Sequence, residues 1–410
     1  MNTKNIIQFS LFTDSNALKK VMKRSGIFRK VLFSIVLCSG LLLAADCKKI
    51  PQETILQKQF QSEVESIVKE YNFPGMTAAF VLSDGSVHTF AAGFSDVEEK
   101  IPMSENNRML AASIGKTYVA AVILDLVRNK KLDLDQPVQS YLGEKNWFVR
   151  LANHKTMTLR HLLTHSSGVE NHVESPGFIK AIRTKKGVIP ELSPEELVSF
   201  VLDTPAKFLP GEGFQYSDTG YILAGLVVEK VTGDDLFDVI KSRILGPLEL
   251  KQTSPSNRKN LAGLASGYLS AENIFQLPVK TTVKPGVMNW NPAIEWAGGG
   301  FVTTSRELAL WGAALYGGKS LSGDYRDDLL RGIEVAPGIK YGIATVIQTN
   351  PDSIVYGHKG WIPGYCSSLQ YYQKSKSAIA FQINTDVGIM GTDEDVIVAI
   401  EKRLANVLFK

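Results

Sequence analysis

Ser113 and Lys116 stand three residues apart at the head of a segment in which Val119, Val122, Ile123, Leu126 and Val127 recur with helical period. One turn of helix brings positions i and i+3 to the same face, so the lysine amine can reach the serine oxygen. Serine is a weak nucleophile unless such a neighbour manages its proton. A helix N-terminus also supplies backbone N–H groups where negative charge would develop on an attacked carbonyl. The competing reading is a plain N-cap serine. Lys116 argues against it, because a cation in the first turn opposes the helix dipole by about 0.3–1 kcal/mol. A capping box would place Glu or Gln there. Taken alone, S-x-x-K is a common chance pattern.

Two further elements carry candidate chemistry. Tyr216-Ser217-Asp218 follows the turn Pro210-Gly211-Glu212-Gly213 and precedes the apolar run Tyr221-Ile222-Leu223-Ala224. On its own it reads as a loop tyrosine beside a helix start capped by Ser217 or Asp218. His358-Lys359-Gly360 follows a strand-like run at 354–356 and leads into Trp361-Ile362-Pro363-Gly364-Tyr365. A lone histidine at a strand end is usually structural.

In this order and at these separations, the three elements resemble the serine β-lactamase and penicillin-binding family. Within it they look most like the branch that holds class C β-lactamases, D-alanyl-D-alanine carboxypeptidases, D-aminopeptidases and related esterases. The resemblance runs over about 55–408 and takes in Met157-Thr158-Leu159-Arg160-His161-Leu162-Leu163-Thr164-His165-Ser166-Ser167-Gly168 and Ala297-Gly298-Gly299-Gly300-Phe301. It implies that Ser113 forms an acyl-enzyme while Tyr216 and Lys116 move its proton to and from the leaving group. Asp218, His358, Gly360 and Trp361 are then expected on the substrate and oxyanion side, with the backbone N–H groups of Ser113 and Trp361 as the oxyanion hole.

Two departures from the family pattern bear on mechanism. Asp218 stands where the best-studied members carry asparagine, and a carboxylate beside Lys116 favours the charged ammonium. Lys116 is therefore expected to act as an electrostatic partner and Tyr216 as the proton shuttle. Lys359 stands where threonine or serine is common, which weakens the case for recognising a substrate carboxylate and shifts weight to esters or amides without one. Neighbouring strand positions point to opposite faces, so Lys359 and His358 are expected to diverge.

The elements that must hold these residues are legible at both ends of the chain. Leu56, Phe60, Val64, Ile67, Val68 and Tyr71 repeat at spacings of three and four, which predicts a helix over 55–71. Apolar runs at 76–82 and 87–92 flank Ser83-Asp84-Gly85-Ser86, a hairpin signal. Runs at 354–356, 365–372 and 378–383 read as strands, and a last helix follows Thr392 as its cap. The fold class is α/β in the α+β sense: an antiparallel sheet built from both chain ends and flanked by helices, with a mostly helical insertion at about 120–300. Specificity is expected in loops such as 170–195 and 270–295.

Bulk properties fit a globular enzyme. The 410 residues are 44% hydrophobic and 21% charged, ordinary for a folded domain. Residues 1–46 hold seven of the 45 basic residues and two of the 41 acidic ones, leaving a body with 38 positive and 39 negative charges. Such a body offers no electrostatic argument for nucleic acid. The uncharged stretch 31–45, after Arg29-Lys30 and ending in Ala44-Ala45, reads as a secretory signal. At 15 residues it falls short of the roughly 20 that span a bilayer. Met22 opens a more typical signal than Met1 does.

Residues 47–410 are read as one domain, exported to the periplasm or cell envelope. Cys47 resembles a lipoprotein acceptor, although Asp46 is unusual before one, so anchoring through lipid and a free Cys47 both stay open. Cys366 reads as a packed strand residue. Gly298-Gly299-Gly300 lacks the context of a phosphate cradle, and no cofactor is expected. His161 and His165 lack the intervening acid of a metal motif and are read as packing or capping, with no metal. The expected partner is a small-molecule or peptide substrate: a peptide, an ester or a β-lactam. A non-catalytic binding protein that kept the fold is the competing class.

Overall fold

The computed structural model describes residues 52–183, 190–351, 353–389 and 395–409; the leader, Cys47 and Thr392 lie outside them. Helix α1 (Gln52–Glu70) buries Phe60, Val64 and Ile67 completely, the stripe that its period predicts. Strands β1 (Gly75–Val81) and β2 (Val87–Asp96) then form the expected hairpin, with Met76 opposite Ala92 and Val81 opposite Val87. A two-residue edge strand follows, β3 (Ile101–Pro102).

The middle of the chain holds helices α2 (Lys116–Arg128) and α3 (Asp218–Thr232). Shorter helices lie between them, at Leu159–Leu163, Pro176–Arg183 and Pro194–Ser199. From 250 to 300 the chain runs through turns, two- and three-residue strands and one 3-10 segment, so the helical character of the middle ends near Gly246. Helix α4 (Ser305–Tyr316) returns the chain to the sheet.

Six strands follow: β4 (Ile333–Ala336), β5 (Ile339–Gly342), β6 (Thr345–Asn350), β7 (Ser353–Ile362), β8 (Tyr365–Tyr372) and β9 (Ser377–Ile383). They join the N-terminal strands in one antiparallel sheet of order β3-β2-β1-β9-β8-β7-β6-β5-β4. The first and last strands of the chain pair inside the sheet, where Met76 lies opposite Ile383 and Val81 opposite Ala378. Helix α5 (Val396–Leu408) closes the chain, capped by Asp395, whose carboxylate accepts from the Val398 N–H at 3.1 Å. Asp395 thus takes the place expected of Thr392, because the helix begins where Val396 and Ile397 first bury against the sheet.

Period-two alternation sorts the sheet into two faces. Met76, Ala78 and Phe80 of β1, with Ile379, Phe381 and Ile383 of β9, pack under α1 and α5. Ala79 and Val81 face the larger core shared with α2, α3 and α4. On that second face the Thr77 hydroxyl meets Ser305 Oγ at 2.7 Å, pinning the start of α4 to β1. Cys366 is buried among the α1 and α5 contacts, a packed strand residue as expected.

Candidate active site

The site is assembled on the α2 face of β7 and β8. Ser113 lies in a 3-10 turn, Ala112–Gly115, that runs directly into α2. Its side chain caps nothing, so the N-cap alternative does not hold. Ala112 is held at φ +49°, which costs an L-residue about 1–2 kcal/mol. Such a bend persists only where its surroundings over-determine it. Here Ala111 N donates to Phe301 O at 2.8 Å, and Ala111 O accepts from Ser367 Oγ of β8 at 2.9 Å.

Gly360 of β7 lies directly beneath. A Cβ there would stand 2.3 Å from Ala111 O and 2.3 Å from Ser367 Oγ. Gly360 therefore serves close approach of the nucleophile segment to the sheet, and it does not line the cleft.

Lys116 is fully buried, and its ammonium is fully engaged. It donates to Ser113 Oγ at 3.1 Å, to Asp218 Oδ1 and to the Gly298 carbonyl. These three acceptors match the three protons of –NH3⁺. Burial opposes the charge, but the Asp218 carboxylate and Tyr216 more than offset it and hold the pKa above that of an ordinary lysine. The ammonium also lies 5.0 Å from the centre of the Tyr216 ring. Tyr216 Oη is buried without a hydrogen-bond partner among the described residues. Burial pushes it up to about 12 against the pull of Lys116.

Asp218 opens α3, where its backbone N–H donates to Asn171 Oδ1 at 3.1 Å. Neither Asn171 nor His172 is marked out by the sequence, although they stand three and four positions beyond the Gly168 that closes the 157–168 segment. Both line the cleft. Burial pushes His172 down to about 4.

His358 does not line the cleft. Its ring nitrogens are both engaged, in a chain whose protons can be assigned from the partners. The Ser217 N–H donates to His165 Nδ1 at 3.1 Å, which leaves the proton of His165 on Nε2. That N–H meets Tyr341 Oη at 3.1 Å, the Tyr341 hydroxyl donates to His358 Nε2 at 2.8 Å, and His358 Nδ1–H donates to the Lys359 carbonyl at 2.6 Å. Both imidazoles are neutral, with burial pushing His358 down to about 3. His165 packs against Tyr216 with ring centres 4.1 Å apart and planes tilted by 36°, so the chain buttresses the tyrosine. His161 closes a capping box with Thr158; both histidines of the 161/165 pair are thus engaged in packing or capping. Tyr341, the link between His165 and His358, carries no signal in the sequence.

Lys359 points to the opposite face, as alternation requires, and pairs with Asp395 Oδ2 at 2.8 Å beside α5. Trp361 lines the cleft, and its indole N–H donates to Asp386 at 3.1 Å. The cleft opens to solvent. Ser113, Tyr216 and Asp218 share it with an apolar wall that includes Phe178, Phe275 and Trp290. The arrangement offers a hydroxyl at a strained turn, a fixed ammonium on it, a phenol beside both and a pocket for an apolar group.

Residues 60–402 match the family described as Beta-lactamase. The chain is 24% identical over 371 residues to penicillin-binding protein 4* of Bacillus subtilis, covering 86% of this chain and 76% of that one. It is 28% identical over 199 residues to the esterase EstB of Burkholderia gladioli, covering 48% of this chain and 50% of that protein. Among solved structures it is similar to a D-stereospecific amidohydrolase from Streptomyces, with a TM-score of 0.69 and 27% identity, over 84% of this chain and 98% of the other. With the family matched along most of its length, the chain belongs to the Beta-lactamase family.

Proposed function

We propose that the protein is an exported serine hydrolase that forms an acyl-enzyme at Ser113 and acts on esters or amides. The observation that carries this reading is the full engagement of the Lys116 ammonium by Ser113, Asp218 and Gly298. Relatives named as an esterase and an amidohydrolase support it.

In the mechanism, Ser113 Oγ attacks the carbonyl carbon and its proton passes to Tyr216 Oη, while the phenolic proton of Tyr216 moves to the departing alcohol or amine. The phenol is regenerated within the step, and no phenolate has to accumulate against a pKa of about 12. Water then enters by the reverse route and releases the acid. Lys116 stays charged throughout and stabilises the developing alkoxide. The backbone N–H groups of Ser113 and Trp361 take the carbonyl oxygen. His358, through Tyr341 and His165, is a positioning residue for Tyr216. Export rests on the leader at 1–46, with Cys47 as a candidate lipid acceptor.

The test is the intact mass of the wild type and Ser113→Ala during incubation with a penicillin and with 4-nitrophenyl butyrate. A transient or lasting Ser113-dependent adduct, or Ser113-dependent release of nitrophenol, is expected. The absence of any Ser113-dependent reaction overturns the reading in favour of a binding protein.

A further inference from the structure

The cleft wall carries two carboxyl side chains and, among the described residues, no lysine or arginine. Asp218 is neutralised by Lys116. Glu295 is not: it has no hydrogen bond or ion pair among the described residues, and it feels Asp218 and Lys116 only at longer range. Its neighbours in the wall are apolar, with Trp290 buried to 1% and Ile294 to 8% exposure. Glu295 is partly exposed, so water reaches its carboxylate in the free cleft, and a ligand ammonium entering the cleft meets it without displacing a protein partner.

The backbone around Glu295 is built to hold it there. Pro292–Gly298 forms a 3-10 segment whose cap, Asn291, accepts from Ala293 N at 3.1 Å. The segment is kinked at Trp296, with φ 34° and ψ −117°, a strained conformation for a bulky residue. The Trp296 ring packs so tightly on Gly225 of α3 that a Cβ there would come within 2.9 Å. The same segment ends in the Gly298 carbonyl that receives Lys116, so the placement of Glu295 is tied to that of the nucleophile. A second polar group of the wall, the indole N–H of Trp290, is buried without a partner among the described residues. An acceptor and a donor are thus unmet in one cleft.

We propose that Glu295 selects acyl groups bearing a free ammonium: esters and amides of amino acids whose α-amino group is unblocked, with the apolar side chain against Trp290 and Phe275. This inference rests on the reading of Ser113 as the acyl-forming nucleophile. Burial, with Asp218 adding to it and Lys116 opposing, lifts the Glu295 carboxyl to about 7. Before substrate binds, the group therefore stands near its midpoint at neutral pH, and a bound ammonium draws it to the charged form. Among the described residues the wall offers no lysine or arginine to a substrate carboxylate.

The test compares phenylalanine 4-nitroanilide with its N-acetyl counterpart, in both enantiomers, for the wild type, Glu295→Gln and Glu295→Asp. The readout is the ratio of the two kcat/KM values within one sample, from which any loss of folded protein cancels. For the turned-over enantiomer the wild type is expected to favour the free ammonium by about ten- to a hundredfold, the range of one charge-assisted hydrogen bond. Glu295→Gln should bring the ratio close to one, and Glu295→Asp should restore much of it. An unchanged ratio in Glu295→Gln, or a wild type that prefers the N-acetyl substrate, overturns the inference. Ser113-dependent turnover of 4-nitrophenyl butyrate, measured in parallel, separates the two readings. If it is present without an ammonium preference, only the role of Glu295 falls; if no substrate is turned over through Ser113, both fall.

Discussion

Lys116 is wholly buried while its ion-pair partner Asp218 keeps 22% of its side chain exposed, within the cleft wall. The pair thus joins a charge that cannot reach water to one that touches the substrate space. Burial alone would lower the lysine pKa, and the Asp218 carboxylate does most to raise it.

Asp218→Asn removes that opposition. The lysine pKa is expected to fall, and the alkaline limb of the kcat/KM profile for a neutral ester should move to lower pH by more than one unit. The buried ammonium also loses its counter-ion, which costs about 3–5 kcal/mol in comparable buried pairs. A pH–rate profile and a denaturant melt of the variant check both. An alkaline limb that stays in place would show that Asp218 does not set the charge state of Lys116.

Gly360→Ala tests the support beneath the nucleophile. The new methyl group meets the Ala111 carbonyl and Ser367 Oγ at 2.3 Å, and neither is the far end of a flexible chain. Relief requires the Ala111–Ser113 segment to lift from the sheet. A loss of about 1–3 kcal/mol in stability is expected, typical of overpacking. The loss of kcat should exceed what the folded fraction explains, because Ser113 moves relative to Lys116. A chemical melt beside burst kinetics separates the two effects; a variant with normal kcat shows that the segment has room.

Local spacing makes part of this legible. Ser113 and Lys116 are one helical turn apart, so their meeting follows from the sequence alone, and the apolar runs at 76–82, 365–372 and 378–383 reveal three strands of the sheet. The partners that complete the site are not local. Tyr341 reaches His165 across 176 positions and sits on a four-residue strand too short to show a period. Strand β4, also of four residues, escapes a sequence reading for the same reason. Glu295 is a single acid in an irregular stretch, and its character comes from what surrounds it in space. The last helix is capped at Asp395, three residues beyond Thr392, because packing of Val396, not the first available acceptor, starts the helix.

The neutral histidine chain makes stability depend on pH in a direction that can be worked out. His358 is held near 3 in the fold by burial and by Lys116, against about 6.5 when unfolded. Between those values the unfolded chain binds the extra proton, so the contribution of His358 to stability is full above pH 6.5 and is lost as pH falls, by about 1.4 kcal/mol per unit. His165 and His172 shift in the same direction. Glu295, raised to about 7, acts in the opposite direction between its unfolded value and 7. A comparison of wild type with His358→Gln cancels these shared contributions. Glutamine can still accept from Tyr341 and donate to the Lys359 carbonyl, but it does not titrate. The variant should be less stable at pH 7.5, and the gap should narrow by about 2 kcal/mol on going to pH 5.0. A gap that stays constant across this range would mean that His358 takes up its proton in the native protein as it does in the unfolded chain, and a gap that widens would mean that it is already protonated at pH 7.5 with the donor assignments of the chain reversed.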